Sequence, residues 1–190
     1  MIEEDIILII AWLAFYFFHS FLATAKVRKQ VNISDRKFRL LYNIVAGISL
    51  LGVVLLSLFF PSRMVLKPLG WMQPIGLLLA VWGVWIINLS FRYYDFKTFA
   101  GLKEPEEKAL LKKKGLLSMV RHPIYLGTLM VLGGYFFYSP SSTALIIFTV
   151  SLLYILIGIQ LEERKLIAEF GDEYRQYCKQ VPMLLPFLKF

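Results

Sequence analysis

The sequence predicts an all-α, polytopic membrane protein with about five transmembrane helices and a cytoplasmic amphipathic C-terminal helix. Three observations predict it. Hydrophobic residues make up 58% of the 190 residues and charged residues only 18%, against about 45–50% and about 25% in soluble domains. The mean hydropathy is +0.63. The apolar residues are also gathered into runs of spanning length, rather than spread at helical or strand periodicity. Disorder and a disulfide-rich secreted scaffold are excluded by the same composition and by the single cysteine, Cys178.

A spanning helix needs about 20 apolar residues. The runs at 6–24, 40–60 and 69–91 qualify. Pro74 should bend or delay the start of the third. Two further runs, 123–138 and 143–161, are separated by Ser139-Pro140-Ser141-Ser142 and predict an antiparallel helical hairpin. All five belong to one integral membrane domain, 1–190. The segment 103–114 mixes acid and base at helical spacing and reads as a short surface helix. In the C-terminal segment, 162–190, Leu166, Ile167, Phe170, Tyr174, Tyr177 and Val181 recur at three- and four-residue steps. They predict an amphipathic helix, broken at Gly171 and ended by Pro182 and Pro186.

Charge tests this order. Six basic residues lie in 25–39, two in 61–68, eight in 92–121, none in 139–142 and five in 162–190. High and low alternate, as five crossings require. The positive-inside rule then places the N-terminus outside and the C-terminus, with any active site, in the cytoplasm. The net charge of +8 is thereby read as topology rather than as nucleic-acid binding. The first residues are acidic, which speaks against a cleavable signal. Nothing marks an obligate protein partner, so membrane lipids and a small molecule are the expected company.

The long cytoplasmic segments carry the chemistry. Arg121-His122-Pro123-Ile124-Tyr125-Leu126-Gly127 opens the fourth span. Arg121 can pair an anion and His122 can exchange a proton near neutrality. Pro123 suits a first helical turn, Tyr125 can face a cation, and Gly127 permits close backbone approach. Glu162-Glu163-Arg164-Lys165 ends the fifth span, where two acids at a helix C-terminus need a compensating cation. Each run alone is equally consistent with an interfacial anchor or a solvated helix end. The hairpin brings the two runs to one membrane surface. His19 and Asn88 are polar residues inside spans and are candidate substrate contacts; Tyr93, Tyr94 and Asp95 could add others. No G-x-G-x-x-G follows a strand, no phosphate-binding lysine loop is present, and the two histidines and one cysteine lack metal-ligand spacing. Cys178 has no paired base nearby in sequence and reads as unreactive.

R-H-P-x-Y-x-G at 121–127, E-E-x-x-L at 162–166, F-G-x-x-Y-x-x-Y at 170–177 and V-P at 181–182 resemble the C-terminal half of the integral membrane methyltransferases, the superfamily of isoprenylcysteine carboxyl and phospholipid N-methyltransferases. The resemblance covers about 113–187. His19-Ser20, Lys26, Arg39-Leu-Leu-Tyr-Asn43, Asp95-Phe through Phe99-Ala-Gly-Leu102 and Val181-Pro-Met-Leu-Leu-Pro186 resemble, more loosely, the methanethiol S-methyltransferase and NnrU-like branch. The resemblance implies methyl transfer from S-adenosyl-L-methionine to a lipophilic or small thiol or carboxylate acceptor that enters from the bilayer. It implies a cofactor site of His122, Pro123, Tyr125, Leu126, Glu162, Glu163, Tyr174 and Tyr177. Glu163, Arg164 and Arg121 are then expected near the reacting end, where a cation or base would favour a thiolate. The alternative is an NADPH-dependent membrane sterol or enone reductase, whose family has a similar R-H-P-x-Y element and a similar Y-x-x-Y-C-x-x-V-P ending. Its 2′-phosphate would need a basic cluster, and the Glu162-Glu163 pair favours a cationic methyl donor.

Overall fold

The computed structural model describes residues 2–92, 96–103 and 110–186. It is all-helical, with no strand among the described residues. Helix α1 spans Ile2–Leu22, α2 Ala25–Gln30, α3 Asp35–Phe59, α4 Met72–Ser90, α5 Phe96–Phe99, α6 Pro123–Tyr138, α7 Ser142–Phe170 and α8 Asp172–Gln180. A 3₁₀ turn, Gly115–Ser118, precedes α6.

Helices α1, α3, α4 and α7 are long and apolar enough to cross a membrane. Large apolar side chains on them, among them Ile10, Phe17, Ile48, Leu58, Leu77, Trp82 and Ile157, are more than half exposed. In water that surface would drive aggregation; in a bilayer it meets lipid. The chain is a multi-pass membrane protein. Helix α6 has 16 residues, or about 24 Å of rise, slightly less than the hydrocarbon core.

Local chemistry sets the boundaries. Ser34 and Ser141 accept from the backbone N–H of Lys37 and Ala144, capping α3 and α7. Helix α4 begins at Met72 and holds Pro74 in its first turn. Pro123 is the first residue of α6. Gly171, at φ +57°, separates α7 from α8, a conformation that glycine adopts without Cβ strain. The expectation of a surface helix over 103–114 is corrected where it can be seen: Lys103 and 110–114 are not helical, and 104–109 lie outside the described residues. Its mixed charges are instead used singly, as in the Lys113–Glu173 ion pair of 2.7 Å.

Contacts fix the relative directions. Trp12 donates to Ser57 at 3.1 Å and His19 meets Tyr42 at 3.0 Å, so α1 and α3 are antiparallel. Leu8 and Trp12 share a core with Val53, Ile147 and Val150, and Tyr16 bonds Ser151 at 2.6 Å, so α1 and α7 run parallel. Helices α4 and α6 cross at glycines: a Cβ on Gly83 would lie 2.5 Å from the Gly127 carbonyl oxygen, and one on Gly134 2.5 Å from that of Gly76. Small residues let two backbones touch where no hydrophobic force acts between helices. One end of the bundle therefore gathers the C-termini of α1, α4 and the apolar part of α7 with the N-termini of α3 and α6. At the other end lie Asp5, paired with Arg63 at 2.8 Å, and the hairpin turn, where Val65 donates to the Pro140 carbonyl.

Candidate functional site

The site lies at the end of the α6–α7 hairpin remote from its turn. Pro123 has no N–H to satisfy at the first position of α6, so the preceding His122 is released from capping. Its ring instead lies between two carboxylates. Nε2 is 3.1 Å from Glu163 Oε1, and Nδ1 is 3.8 Å from Glu162 Oε2. Glu162 and Glu163 are consecutive on α7, 100° apart around the helix, and so divide the work. Glu163 also accepts from Arg121 Nε at 2.7 Å. Glu162 accepts from the Tyr125 hydroxyl at 2.9 Å. The His122 and Tyr125 rings stack 5.7 Å apart.

The C-terminal segment closes over this cluster. Arg121 Nη1 donates to the carbonyls of Cys178 at 3.1 Å and Val181 at 2.6 Å. The backbone N–H groups of Arg121 and His122 donate to the carbonyls of Pro182 and Met183. Tyr174, Tyr177 and Val181 pack with Leu166, Ile167 and Phe170, and the Tyr177 hydroxyl donates to the Leu117 carbonyl. The broken amphipathic helix thus folds back onto the start of α6, fastened by Arg121.

Charge is unevenly spent. Two carboxylates face one guanidinium. Burial opposes the charge on Arg121, but its hydrogen bond and ion pair with Glu163 outweigh that and hold its pKa above the ordinary arginine value. Burial, then the negative field of Glu163, pushes the Tyr174 phenol up; it stays neutral. The Arg121 side chain is 6% exposed and that of Glu163 19%, whereas Glu162 is 44% exposed. Glu162 is the carboxylate that the cluster presents outward.

The structure brings together Arg121, His122, Tyr125, Glu162 and Glu163, with Pro123 buried beside them and Leu126 half-buried one turn on. Tyr174 and Tyr177 are the buried residues of α8 and pack against the end of α7. Arg164 is exposed and takes no part in the hydrogen bonds that join the cluster. Asn88 is exposed on α4, and Tyr93, Tyr94 and Asp95 lie outside the described residues. His19 sits apart, bonded to Tyr42 and 6.4 Å ring to ring from Tyr154. Neither Tyr16 nor Tyr154 stands out in the sequence, and Tyr42 does so only within the Arg39–Asn43 run. Ser20 meets Tyr154 at 2.9 Å, and the signal available was the tyrosine content of spans that otherwise need none. The looser N-terminal motifs also meet: Arg39 donates to the Thr98 carbonyl, and Gly101, at φ +78°, packs against the backbone of Arg36, Arg39 and Leu40.

Burial raises the pKa of the Cys178 thiol, with Arg121 only partly offsetting it. A raised pKa leaves less thiolate at neutral pH. Cys178 should therefore react with iodoacetamide more slowly at pH 7.5 than an unfolded-state cysteine, and gain rate as pH rises. Equal rates in folded and denatured protein, followed by mass spectrometry, would contradict this.

Residues 22–181 match the family described as protein of unknown function (DUF1295). Among curated proteins, the chain is 37% identical over 100 residues to methanethiol S-methyltransferase of Crocosphaera subtropica, covering 52% of this chain and 35% of the relative. It is 34% identical over 151 residues to methanethiol S-methyltransferase 2 of Bradyrhizobium diazoefficiens, covering 72% and 57%. With human protein-S-isoprenylcysteine O-methyltransferase it shares 27% over 157 residues, 78% of this chain and 52% of that protein. These matches span about a third to just over half of each relative's length. No solved structure matches.

Proposed function

We propose, from the premise that the chain belongs to the DUF1295 family, that it is a membrane methyltransferase moving a methyl group from S-adenosyl-L-methionine to a thiol acceptor. The observation that carries this reading is the outward-facing Glu162, held by Tyr125 beside His122 and backed by the Arg121–Glu163 pair. The methyl donor carries a sulfonium and an ammonium. A carboxylate in excess over the local guanidinium, a phenol and an imidazole form a donor set that fits such a cation. The names of the relatives support the reaction, and those of the more similar ones support a thiol acceptor.

When bound, S-adenosyl-L-methionine supplies an electrophilic methyl whose transfer leaves a neutral thioether. No acid is then needed, so the chain's task is positioning and exclusion of water. Glu162 holds the ammonium, oriented by Tyr125. The Tyr125 and His122 ring faces flank the cation, with Pro123 and Leu126 walling the site. Arg121 and Glu163 neutralise each other and fix His122 and the C-terminal segment; they are positioning residues. Tyr174 and Tyr177 support that segment from below. Arg164, exposed, is available to the acceptor's developing charge. In this reading α6 is a fifth crossing, the N-terminus is outside and the site faces the cytoplasm, in keeping with the basic loops at that end of the bundle. The reductase reading lacks support here, since the exposed charge in the cluster is a carboxylate, whereas a nucleotide 2′-phosphate calls for basic groups.

Glu162→Gln keeps the size and the Tyr125 contact but removes the charge. It should weaken S-adenosylhomocysteine binding by about tenfold or more, the scale of one charge-assisted hydrogen bond, with an unchanged melting temperature in the absence of ligand. Unchanged affinity by calorimetry would remove Glu162 from the site.

A further inference from the structure

A cavity of about 420 Å³ lies between α1 and α3, within the size range of small-molecule sites. Its wall is apolar, from Phe15, Phe18 and Leu22 on α1 to Val45, Val53 and Leu56 on α3, with Gly52 among the lining residues. Ser49 lies along the wall with its hydroxyl bonded to the Val45 carbonyl of its own helix, and at one end His19 and Tyr42 bond each other at 3.0 Å. Both helices are membrane-crossing by length and hydropathy, and Phe18, Val45 and Leu56 are exposed at the cavity's rim. What reaches it comes from the bilayer.

The polar end points towards the cluster. Tyr154 of α7 stands at His19. Ser151, Tyr154, Gly158 and Glu162 step by three, four and four residues and so share one face of α7. Between Tyr154 and Glu162 the only side chain missing from that face is at Gly158, where a Cβ would meet nothing within 4 Å. The glycine is not required by packing or by backbone conformation. The α7 face between Tyr154 and Glu162 is therefore bare of side chain at Gly158, while the cavity's own lining is drawn from α1 and α3.

We infer that the α1–α3 cavity seats the apolar chain of the methyl acceptor, with His19 and Tyr42 at its polar neck and Gly158 leaving the passage to Glu162. This rests on the methyltransferase reading and narrows it. The eight residues from Tyr154 to Glu162 rise about 12 Å, which methanethiol cannot span. The acceptor is a long-chain thiol. It reacts as thiolate, its proton having gone to water; the new C–S bond forms as the sulfonium C–S bond breaks, and S-adenosylhomocysteine leaves neutral at sulfur.

Gly52→Leu is designed to fill the cavity and Gly158→Leu the passage; a Cβ at either position meets nothing within 4 Å. Tritiated methyl transfer to 1-dodecanethiol and to methanethiol would be compared in wild type and both variants, reconstituted in lipid nanodiscs. The wild type should prefer dodecanethiol. Each variant should lower the dodecanethiol-to-methanethiol ratio of kcat/KM by about tenfold or more, the scale of filling an apolar pocket. A wild type that prefers methanethiol, or a ratio unmoved by both substitutions, overturns the proposal. A diazirine-bearing alkyl thiol gives a second readout that needs no turnover. Labelling of α1 and α3 peptides, lost in Gly52→Leu and kept in Gly158→Leu, supports the cavity; labelling insensitive to Gly52→Leu overturns it. Failure of S-adenosylhomocysteine to bind the wild type would instead strike the methyltransferase reading, while the photolabel still judges the cavity.

Discussion

Arg121→Ala should unfasten the C-terminal segment and cost about 3–5 kcal/mol, the range for removing one partner of a buried ion pair. The substitution takes a donor from three groups at once, leaving Glu163 with His122 alone. Glu163 loses its short 2.7 Å donor, and the carbonyls of Cys178 and Val181 lose theirs. Arg121 itself is 8% exposed, so water cannot replace it without opening the packing of Tyr174, Tyr177 and Val181. Arg121→Lys restores the charge but cannot aim Nε at one group and Nη1 at two others, and should recover only part of the loss. Protease sensitivity confined to the region after Phe170, with a lowered melting temperature in detergent, is the expected outcome. Arg121→Ala with wild-type melting and proteolysis would show that the segment is held by its apolar contacts alone.

The second large effect is expected at the α4–α6 crossing. Gly83→Val and Gly127→Val each place a side chain where the opposing backbone already stands: Cβ would lie 2.5 Å from the Gly127 oxygen in the first case and 2.7 Å from the Gly83 oxygen in the second. A backbone atom cannot rotate aside as a flexible side chain can. Overpacking costs about 1–3 kcal/mol where side chains can adjust, and more is expected here. Separating the helices would also carry the start of α6, and with it His122 and Tyr125, away from the rest of the bundle. Gly47→Val is the matched control, since a Cβ there meets nothing within 4 Å. Monodisperse yield in detergent should collapse for Gly83→Val and Gly127→Val and persist for Gly47→Val. Equal yields for all three would contradict the close crossing.

How far the sequence could carry the account differs by element. The four long apolar helices are legible because a bilayer imposes length and apolarity on each segment independently; the apolar run 123–138 coincides with the shorter helix α6. Gly171 and Pro123 are legible as local chemistry. The convergence of His122 with Glu162 and Glu163 follows from a hairpin with a short turn. That Arg121 pairs an acid is legible, and Glu163 is that acid; that it also fastens the C-terminal segment is not, because those partners are carbonyls 57 and 60 residues away, and a carbonyl leaves no mark in a sequence. Arg164 looked equivalent beside Glu163, but the 100° step of a helix turns it outward. The spacing of seven between Gly76 and Gly83, and again between Gly127 and Gly134, can be read in the chain, yet which helices pair through it cannot. The α1–α3 cavity depends on how two spans tilt apart, which no periodicity encodes.

In the proposed function, the carboxylate-bearing cluster at the end of the α6–α7 hairpin binds a cationic methyl donor. Calorimetric titration of detergent-purified wild-type protein with S-adenosylhomocysteine and, separately, with NADPH tests it most directly. Saturable binding of the adenosylhomocysteine and none of NADPH is the expected result. Saturable NADPH binding without adenosylhomocysteine binding would contradict it and turn the site over to a reductase.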